Sequence, residues 1–360
     1  MTEPTEPRST KITSLYSISH EKDADGFISA AIVWRYAKSK GLKHGVILTD
    51  YGSFEAVFTK VGGFKNTLIV VTDLGLDENS LGKVISSLTR ATAQGCRIVW
   101  LDHHEWPNRA VKSILSLANS PVLRINHEHC GAEIAFKVLL PRDDVCAEMA
   151  KIAHDTDFNI REIESASALT DALSLIRFAV LDKGDDLTAA LLPLLRSLAE
   201  TGMTGIWDET GKRFRDVLLN QRVDNYRKER LKKMRKVLAA HCDLEIHSRL
   251  VRMVEMPNGV TTTDMGTFVA DTKNLIIGDR QLPVADLFVT LSPGGMLGFR
   301  RGRDSVVCNA AAALFKGGGH AYAAGGEYGP YHDFQAVCDD VFSTLSKSKD
   351  WLVPSSEESA

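Results

Sequence analysis

Short apolar runs rich in β-branched residues recur along the first half of the chain, at 12–18, 45–48, 68–71, 98–101 and 122–125. Runs of this length, bounded by polar or glycine-bearing stretches, predict strands buried on both faces. Helical spacing of apolar positions predicts helices at 27–39, 79–93, 132–140, 145–154, 166–181 and 187–199. Strand and helix alternate, which predicts an α/β fold with a doubly wound, mainly parallel sheet. After 241 the texture changes. Strands are expected at 250–255, 275–277, 285–291 and 296–300, the last two joined by the turn Ser292-Pro293-Gly294-Gly295. A short helix at 306–315 and a glycine-rich stretch at 316–326 complete a second, smaller α/β domain. The polar ends, 1–10 and 354–360, are expected to be disordered tails.

The segment between the two domains is distinct. Residues 211–236 hold eleven Lys/Arg against three Asp/Glu, while the whole chain has a net charge of only −3. Phe214, Val217, Leu218, Leu231, Met234 and Leu238 lie at helical spacings on one side, so a long basic amphipathic linker helix is expected. Its charges can be a solvated face or a track for a phosphate backbone. The expected organisation is therefore 11–200, a linker at 201–240, and 241–346.

No apolar run reaches the roughly 18 residues of a membrane helix, so no membrane role is expected. The six cysteines form no CxxC pair. That pattern argues against a disulfide framework or a thiolate zinc site and favours a reducing cytoplasm. Asn126-His127-Glu128-His129-Cys130 offers three local ligands, one fewer than a structural zinc needs, and reads better as the lead into the helix near 132.

The chemistry sits where the apolar strands stop. The first strand runs into His20-Glu21-Lys22-Asp23-Ala24-Asp25-Gly26, the third into Thr72-Asp73 and the fourth into Asp102-His103-His104. Asp155, in His154-Asp155-Thr156-Asp157, follows a helical run. In an open parallel sheet, ligands bind beyond the carboxyl ends of the strands. So many carboxylates in one place would repel one another, and cations would remove that repulsion. Oxygen and imidazole donors without thiolate suit manganese, magnesium or iron. Two such ions can clamp a phosphoryl group and share an activated water. Singly, each motif also has an ordinary structural reading: Asp23 and Asp73 as helix N-caps, and the His pair as surface residues. In the second domain Gly317-Gly318-Gly319-His320 follows Arg300, Arg301 and Arg303. Such glycines admit an anion to the backbone, and arginine forks match phosphate.

Together these strings resemble the DHH phosphoesterase family with its DHH-associated C-terminal domain, over roughly 15–326. The carrying motifs are His20 to Gly26, Val71-Thr72-Asp73, Leu101-Asp102-His103-His104, His154-Asp155-Thr156-Asp157 and Gly317-Gly318-Gly319-His320-Ala321-Tyr322-Ala323-Ala324-Gly325. The resemblance implies a two-metal, usually manganese, phosphoesterase, with magnesium the other ion to consider. It implies that His20 and Asp23 hold one metal, that Asp25, His103 and Asp155 hold the other, and that Asp73 bridges them. His104 would face the scissile phosphate, with Asp102 orienting an imidazole. Arg300, His320 and the glycines Gly317, Gly318 and Gly319 would hold the substrate's other phosphate. Asp157 stands where many relatives have glycine, and His154 has no counterpart role.

The expected activity is trimming of short single-stranded RNA or DNA, in the manner of nano-RNases and RecJ-like exonucleases. Two alternatives stay open. One is hydrolysis of cyclic dinucleotides or 3′-phosphoadenosine 5′-phosphate. The other is a non-catalytic scaffold in replication or repair. A homodimer is compatible with all three.

Overall fold

The structure is a computed structural model describing residues 11–158, 160–181 and 183–353. The two expected tails lie outside the described residues. The chain divides into two compact units, 1–224 and 225–360, each described by itself.

The first unit is an open α/β sandwich. Its strands are β1 (Ser14–His20), β2 (Lys43–Thr49), β3 (Thr67–Thr72), β4 (Arg97–Asp102) and β5 (Val122–Ile125). They form one sheet in the order β2-β1-β3-β4-β5, and every pairing is parallel. Helices α1 (Ala24–Ser39), α2 (Phe54–Val61), α3 (Glu78–Ala93) and α4 (Asn108–Leu115) alternate with the strands. Helices α5 (Gly131–Leu139), α6 (Asp144–Asp157), α7 (Glu164–Leu181) and α8 (Leu187–Thr201) follow. Phe27, Ile28 and Ile32 of α1 join Met149 of α6, Leu169 of α7 and Leu195 of α8 in one core. Phe54, Phe58, Val84 and Ile114 of α2, α3 and α4 cover Ile18, Ile69 and Trp100 in another. The inner strands β3 and β4 are mostly buried and mostly apolar, whereas β1 admits Ser17, Ser19 and His20, and β2 and β5 are largely half-exposed. Two short helices, α2 and α4, lie in stretches where the sequence pattern predicted no element. The strand order reverses direction at β1 and β3, and ligand sites favour that position. A buried bond between the Ser19 and Thr72 hydroxyls (2.7 Å) ties the ends of these two strands together.

A short helix α9 (Met203–Ile206) and the ribbon β6 (Trp207–Asp208) and β7 (Arg213–Phe214) lead into the long basic helix α10 (Val217–Ala239). The helix starts later than the expected linker. Val217 and Leu218, expected on its apolar side, are exposed, because they fill its first turn, where Asp216 caps the backbone amides of Leu218 and Leu219.

The second unit holds a mixed six-stranded sheet. Its elements are β8 (Cys242–Ile246), β9 (Arg249–Glu255), α11 (Thr262–Ala270), the ribbon β10 (Ile276–Ile277) and β11 (Arg280–Gln281), β12 (Leu287–Leu291), β13 (Met296–Arg301), α12 (Cys308–Ala313), β14 (Gly318–Gly319), β15 (Ala323–Glu327) and α13 (Phe334–Ser346). The sheet order is β14-β15-β13-β12-β9-β8, and only β9 and β12 pair in parallel. Val337 and Val341 of α13 pack with Ala311 of α12 on one core, while Met234 and Leu238 of α10 pack with Met265 and Phe268 of α11 on another.

His44, at the amino end of β2, gives a pH handle at the opposite end of the strand from Thr49. Its Nε2 lies 3.1 Å from the Ser17 hydroxyl and its ring 4.7 Å from that of Trp34. Burial pushes its pKa down to about 4. The unfolded chain therefore binds a proton there, between about 4 and 6.5, that the folded chain rejects, so stability falls as pH drops through that window. His44→Gln is expected to lose less stability than the parent between pH 7 and 5 in urea titrations. Equal losses would contradict this account.

Candidate metal centre

The carboxyl ends of β1, β3 and β4 bring His20, Asp73 and Asp102 to one edge of the first unit's sheet. Asp23 caps α1, accepting from the Gly26 amide at 3.0 Å with one oxygen, while its other oxygen lies 2.9 Å from His20 Nδ1. The ordinary and the chemical reading of Asp23 thus coexist in one carboxylate. Asp73 is no N-cap: α3 is capped by Asp77. Asp73 instead sits in the left-handed region, at φ 55, with its amide held by Leu101 O at 3.0 Å. A non-glycine residue there stores strain, which clusters at functional sites. The indole of Trp100 fixes the following turn by donating to Leu74 O at 2.8 Å.

Asp25 is buried in the first turn of α1, and its two oxygens accept from Gly131 N and Ala132 N, both at 2.7 Å. An anion at the N-terminus of α5 is favoured by those unpaired amides and the helix dipole. Burial, then the neighbouring Asp73 and Asp157 charges, nevertheless pushes its carboxyl well above the ordinary range. Gly131 is what permits the approach. A Cβ there would meet Asp73 Cβ at 2.8 Å and Asp25 Oδ2 at 3.0 Å.

His103 lies among three carboxylates. Its Nε2 is 3.2 Å from Asp73 Oδ1 and 3.9 Å from Asp25 Oδ2, and its Nδ1 is 3.6 Å from Asp157 Oδ2. Burial would lower its pKa, but these carboxylates outweigh burial and hold it at about 10. Burial also leads the causes that raise Asp157 to about 6. His104 turns Nδ1 to Asp102 Oδ1 at 2.8 Å, while Trp106 donates its indole N–H to Asp102 Oδ2 at 2.6 Å. Asp102 is fully buried, which alone would raise its pKa, yet the His104 and Trp106 bonds keep it below the usual value.

Three sets of donor atoms lie close enough to share an ion: His20, Asp23 and Asp73; Asp25, His103 and Asp157; and Asp73, His103 and His104. Asp73 and His103 each belong to two of them. The donors fit a divalent ion. Asp73 Oδ2 is buried with no hydrogen-bond partner, and His20 Nδ1, close to Asp23, makes no aligned hydrogen bond. Burial drives the nearby Cys130 thiol upward, so it stays protonated and the set offers only oxygen and nitrogen.

Asp155 is outside these sets. Its Oδ1 accepts from Glu162 N (2.9 Å) and Ile163 N (3.2 Å), which shapes the entry to α7, while its Oδ2 is buried without a partner. Asp157 stands beside His103 instead. Residues two apart on a helix diverge by about 200°, so the two carboxylates of α6 cannot both face one point. That phase was available in the sequence and points to weighing Asp157 against Asp155. His154 turns away to Glu133 (2.8 Å) and Phe158. His129 also neighbours Glu133, at 3.6 Å, and no further metal set is found there among the described residues.

In the second unit, Arg300 of β13 pairs with Ala323 of β15 and reaches the Thr262 and Thr263 hydroxyls at 3.4 Å. Gly317 packs so closely that a Cβ would lie 1.9 Å from Gly325 O. Gly318 and Gly319 form the exposed edge strand, and the exposed His320 stacks on Tyr322 with ring centroids 5.3 Å apart. Arg300, His320 and the glycines thus occupy one end of this sheet.

Residues 15–175 match the sequence profile of the DHH family, N-terminal domain. No curated protein matches the chain in sequence. Among solved structures, an exopolyphosphatase-related protein from Bacteroides fragilis is similar at TM-score 0.51 and 14% identity, over 93% of this chain and 92% of that one. RecJ in complex with Mn2+ from Thermus thermophilus is similar at TM-score 0.55 and 17% identity, over 95% of this chain but only 53% of RecJ. The pGpG-specific phosphodiesterase PggH from Vibrio cholerae is similar at TM-score 0.54 and 11% identity, over 93% of this chain and 99% of that one. These likenesses establish a shared RecJ-like fold. Among the described residues, no helix is long and apolar enough to cross a membrane.

Gly131→Ala is expected to weaken manganese binding by about 10- to 100-fold, the scale of losing a supporting contact, because its methyl group displaces Asp73 and Asp25. Calorimetric titration reads this directly. Parental affinity in a folded Gly131→Ala chain would contradict the packing argument.

Proposed function

Because residues 15–175 match the DHH family, N-terminal domain, we propose that this chain is a divalent-metal-dependent phosphodiesterase acting on short single-stranded oligonucleotides. The observation that carries the reading is the sharing of Asp73 and His103 between overlapping donor sets. In this reading His20, Asp23 and Asp73 hold one ion, and Asp73, Asp25 and His103 hold a second with Asp157 or the unpartnered Oδ2 of Asp155. Two manganese or magnesium ions there would supply charge to neutralise a phosphoryl group and to acidify a water. Asp73, held in a strained conformation, presents one carboxylate to both positions. Asp102 fixes the orientation of His104, whose pKa is raised because the Asp102 bond outweighs burial. His104 then donates a hydrogen bond to a phosphoryl oxygen. Arg300, His320 and the Gly317–Gly319 backbone bind another phosphate of the substrate.

The preference for short substrates draws its support from the likeness to PggH, a pGpG-specific phosphodiesterase matched over 99% of its chain.

Asp73→Asn is expected to keep the fold, since asparagine tolerates the left-handed region. Its manganese-dependent hydrolysis should fall by on the order of 100-fold or more, read on a panel of linear dinucleotide, pentanucleotide, cyclic dinucleotide and 3′-phosphoadenosine 5′-phosphate. Parental rates would contradict the metal assignment. Faster turnover of the cyclic or bisphosphate nucleotide than of the linear dinucleotide would contradict the substrate assignment.

His320→Ala is expected to raise KM for the dinucleotide by about tenfold, the scale of one charge-assisted hydrogen bond, with kcat little changed. A loss confined to kcat would remove His320 from substrate binding.

A further inference from the structure

The long helix α10 carries eight Lys/Arg and two Asp/Glu in a chain of net charge −3. Its orientation over 225–239 is fixed by its other side. Met234 and Leu238 are buried against Met265 and Phe268 of α11, Arg230 bonds Asp264 at 2.8 Å, and Lys233 donates to Asn258 O at 2.8 Å. What remains outward is Lys228, Lys232, Arg235 and Lys236. All four are exposed and make no ion pair or hydrogen bond among the described residues. They sit at i, i+4, i+7 and i+8, so they form one stripe about 12 Å long. Like charges three and four apart on a helix destabilise it. Within the helix the acidic residues near the stripe are Asp224, one turn before Lys228, and Glu229, two negative charges against four positive ones, and a polyanion would offset the remainder.

We propose that Lys228, Lys232, Arg235 and Lys236 form a docking surface for a single strand of nucleic acid, holding the phosphates of a substrate longer than a dinucleotide. The proposal rests on the phosphodiesterase reading above and adds to it a chain-length dependence of binding. A repeating anion matches a repeating cation of this period. A lipid surface does not fit as well, because a helix lying on a membrane needs an exposed apolar face beside its basic one, and over 225–239 that face is consumed by the unit's own core.

The test compares the full-length parent with a Lys228→Gln, Lys232→Gln, Arg235→Gln, Lys236→Gln variant. Glutamine keeps helix propensity. An all-Arg replacement of the three lysines serves as the charge-preserving control. Binding of a labelled single-stranded octanucleotide is read by anisotropy in EDTA, so the result does not depend on turnover. The Gln variant should lose about tenfold in affinity at low salt, and the slope of log K against log salt should shrink by about 3, as four released cations imply for single strands. The all-Arg variant should keep the parental slope. With manganese, the Gln variant should show a raised KM for the octanucleotide and parental kinetics on the dinucleotide. An unchanged slope would overturn the proposal while leaving dinucleotide hydrolysis to judge the phosphodiesterase reading separately. Stripe-dependent binding to phosphatidylserine vesicles with unchanged octanucleotide binding would also overturn it, in favour of a membrane.

Discussion

Four carboxylates and three imidazoles converge at the edge of one sheet, and their mutual electrostatics constrain the rest of the first unit. Asp25 and Asp73 are almost completely buried, at 1% and 2% exposure. Buried charge needs a counter-charge or hydrogen bonds. The protein supplies both in part: backbone amides of α5 for Asp25, and raised imidazole pKa values around Asp73. What remains unmet is specific, namely the Asp73 oxygen and the His20 nitrogen without aligned partners. A divalent cation meets that need with the donor chemistry available.

The scaffold is arranged around this crowding. The parallel sheet places three strand ends side by side at its switch point. The aromatic packing of Trp100 on Phe58, at 5.6 Å, and of Trp106 edge-on against Trp100 anchors the segment that carries Asp102, His103 and His104. Trp106 thereby ties a packing feature to the orientation of an imidazole. The glycine at the start of α5 removes a side chain so that two carboxylates can meet a helix terminus. Charge placement, packing and backbone strain all act at the same few residues.

Much of this was legible in the sequence, for physical reasons. Each buried parallel strand is a short apolar run, so all five strands of the first sheet fall where those runs predict them. Helices α2 and α4 were missed because each has only eight residues and neither starts with a side-chain cap. Helix α13 was also missed, although Asp333 caps it and Val337, Val341 and Leu345 repeat at four-residue spacing. In that case the signal was present. The strand-end motifs identified most of the residues that the fold brings together. The dual duty of Asp25 was not legible, because its partners lie more than a hundred positions away. Nor was the rotation of α6 that turns Asp157 toward His103, since it depends on how that helix packs against α1.

The central claim is that the clustered carboxylates exist to hold paired divalent ions around Asp73. Anomalous diffraction at the manganese edge, from crystals of the full-length protein grown with manganese, tests it most directly. The account expects two peaks, both within bonding distance of Asp73, one beside His20 and the other beside His103. A single peak that avoids Asp73, or none at all with the site ordered, would contradict it.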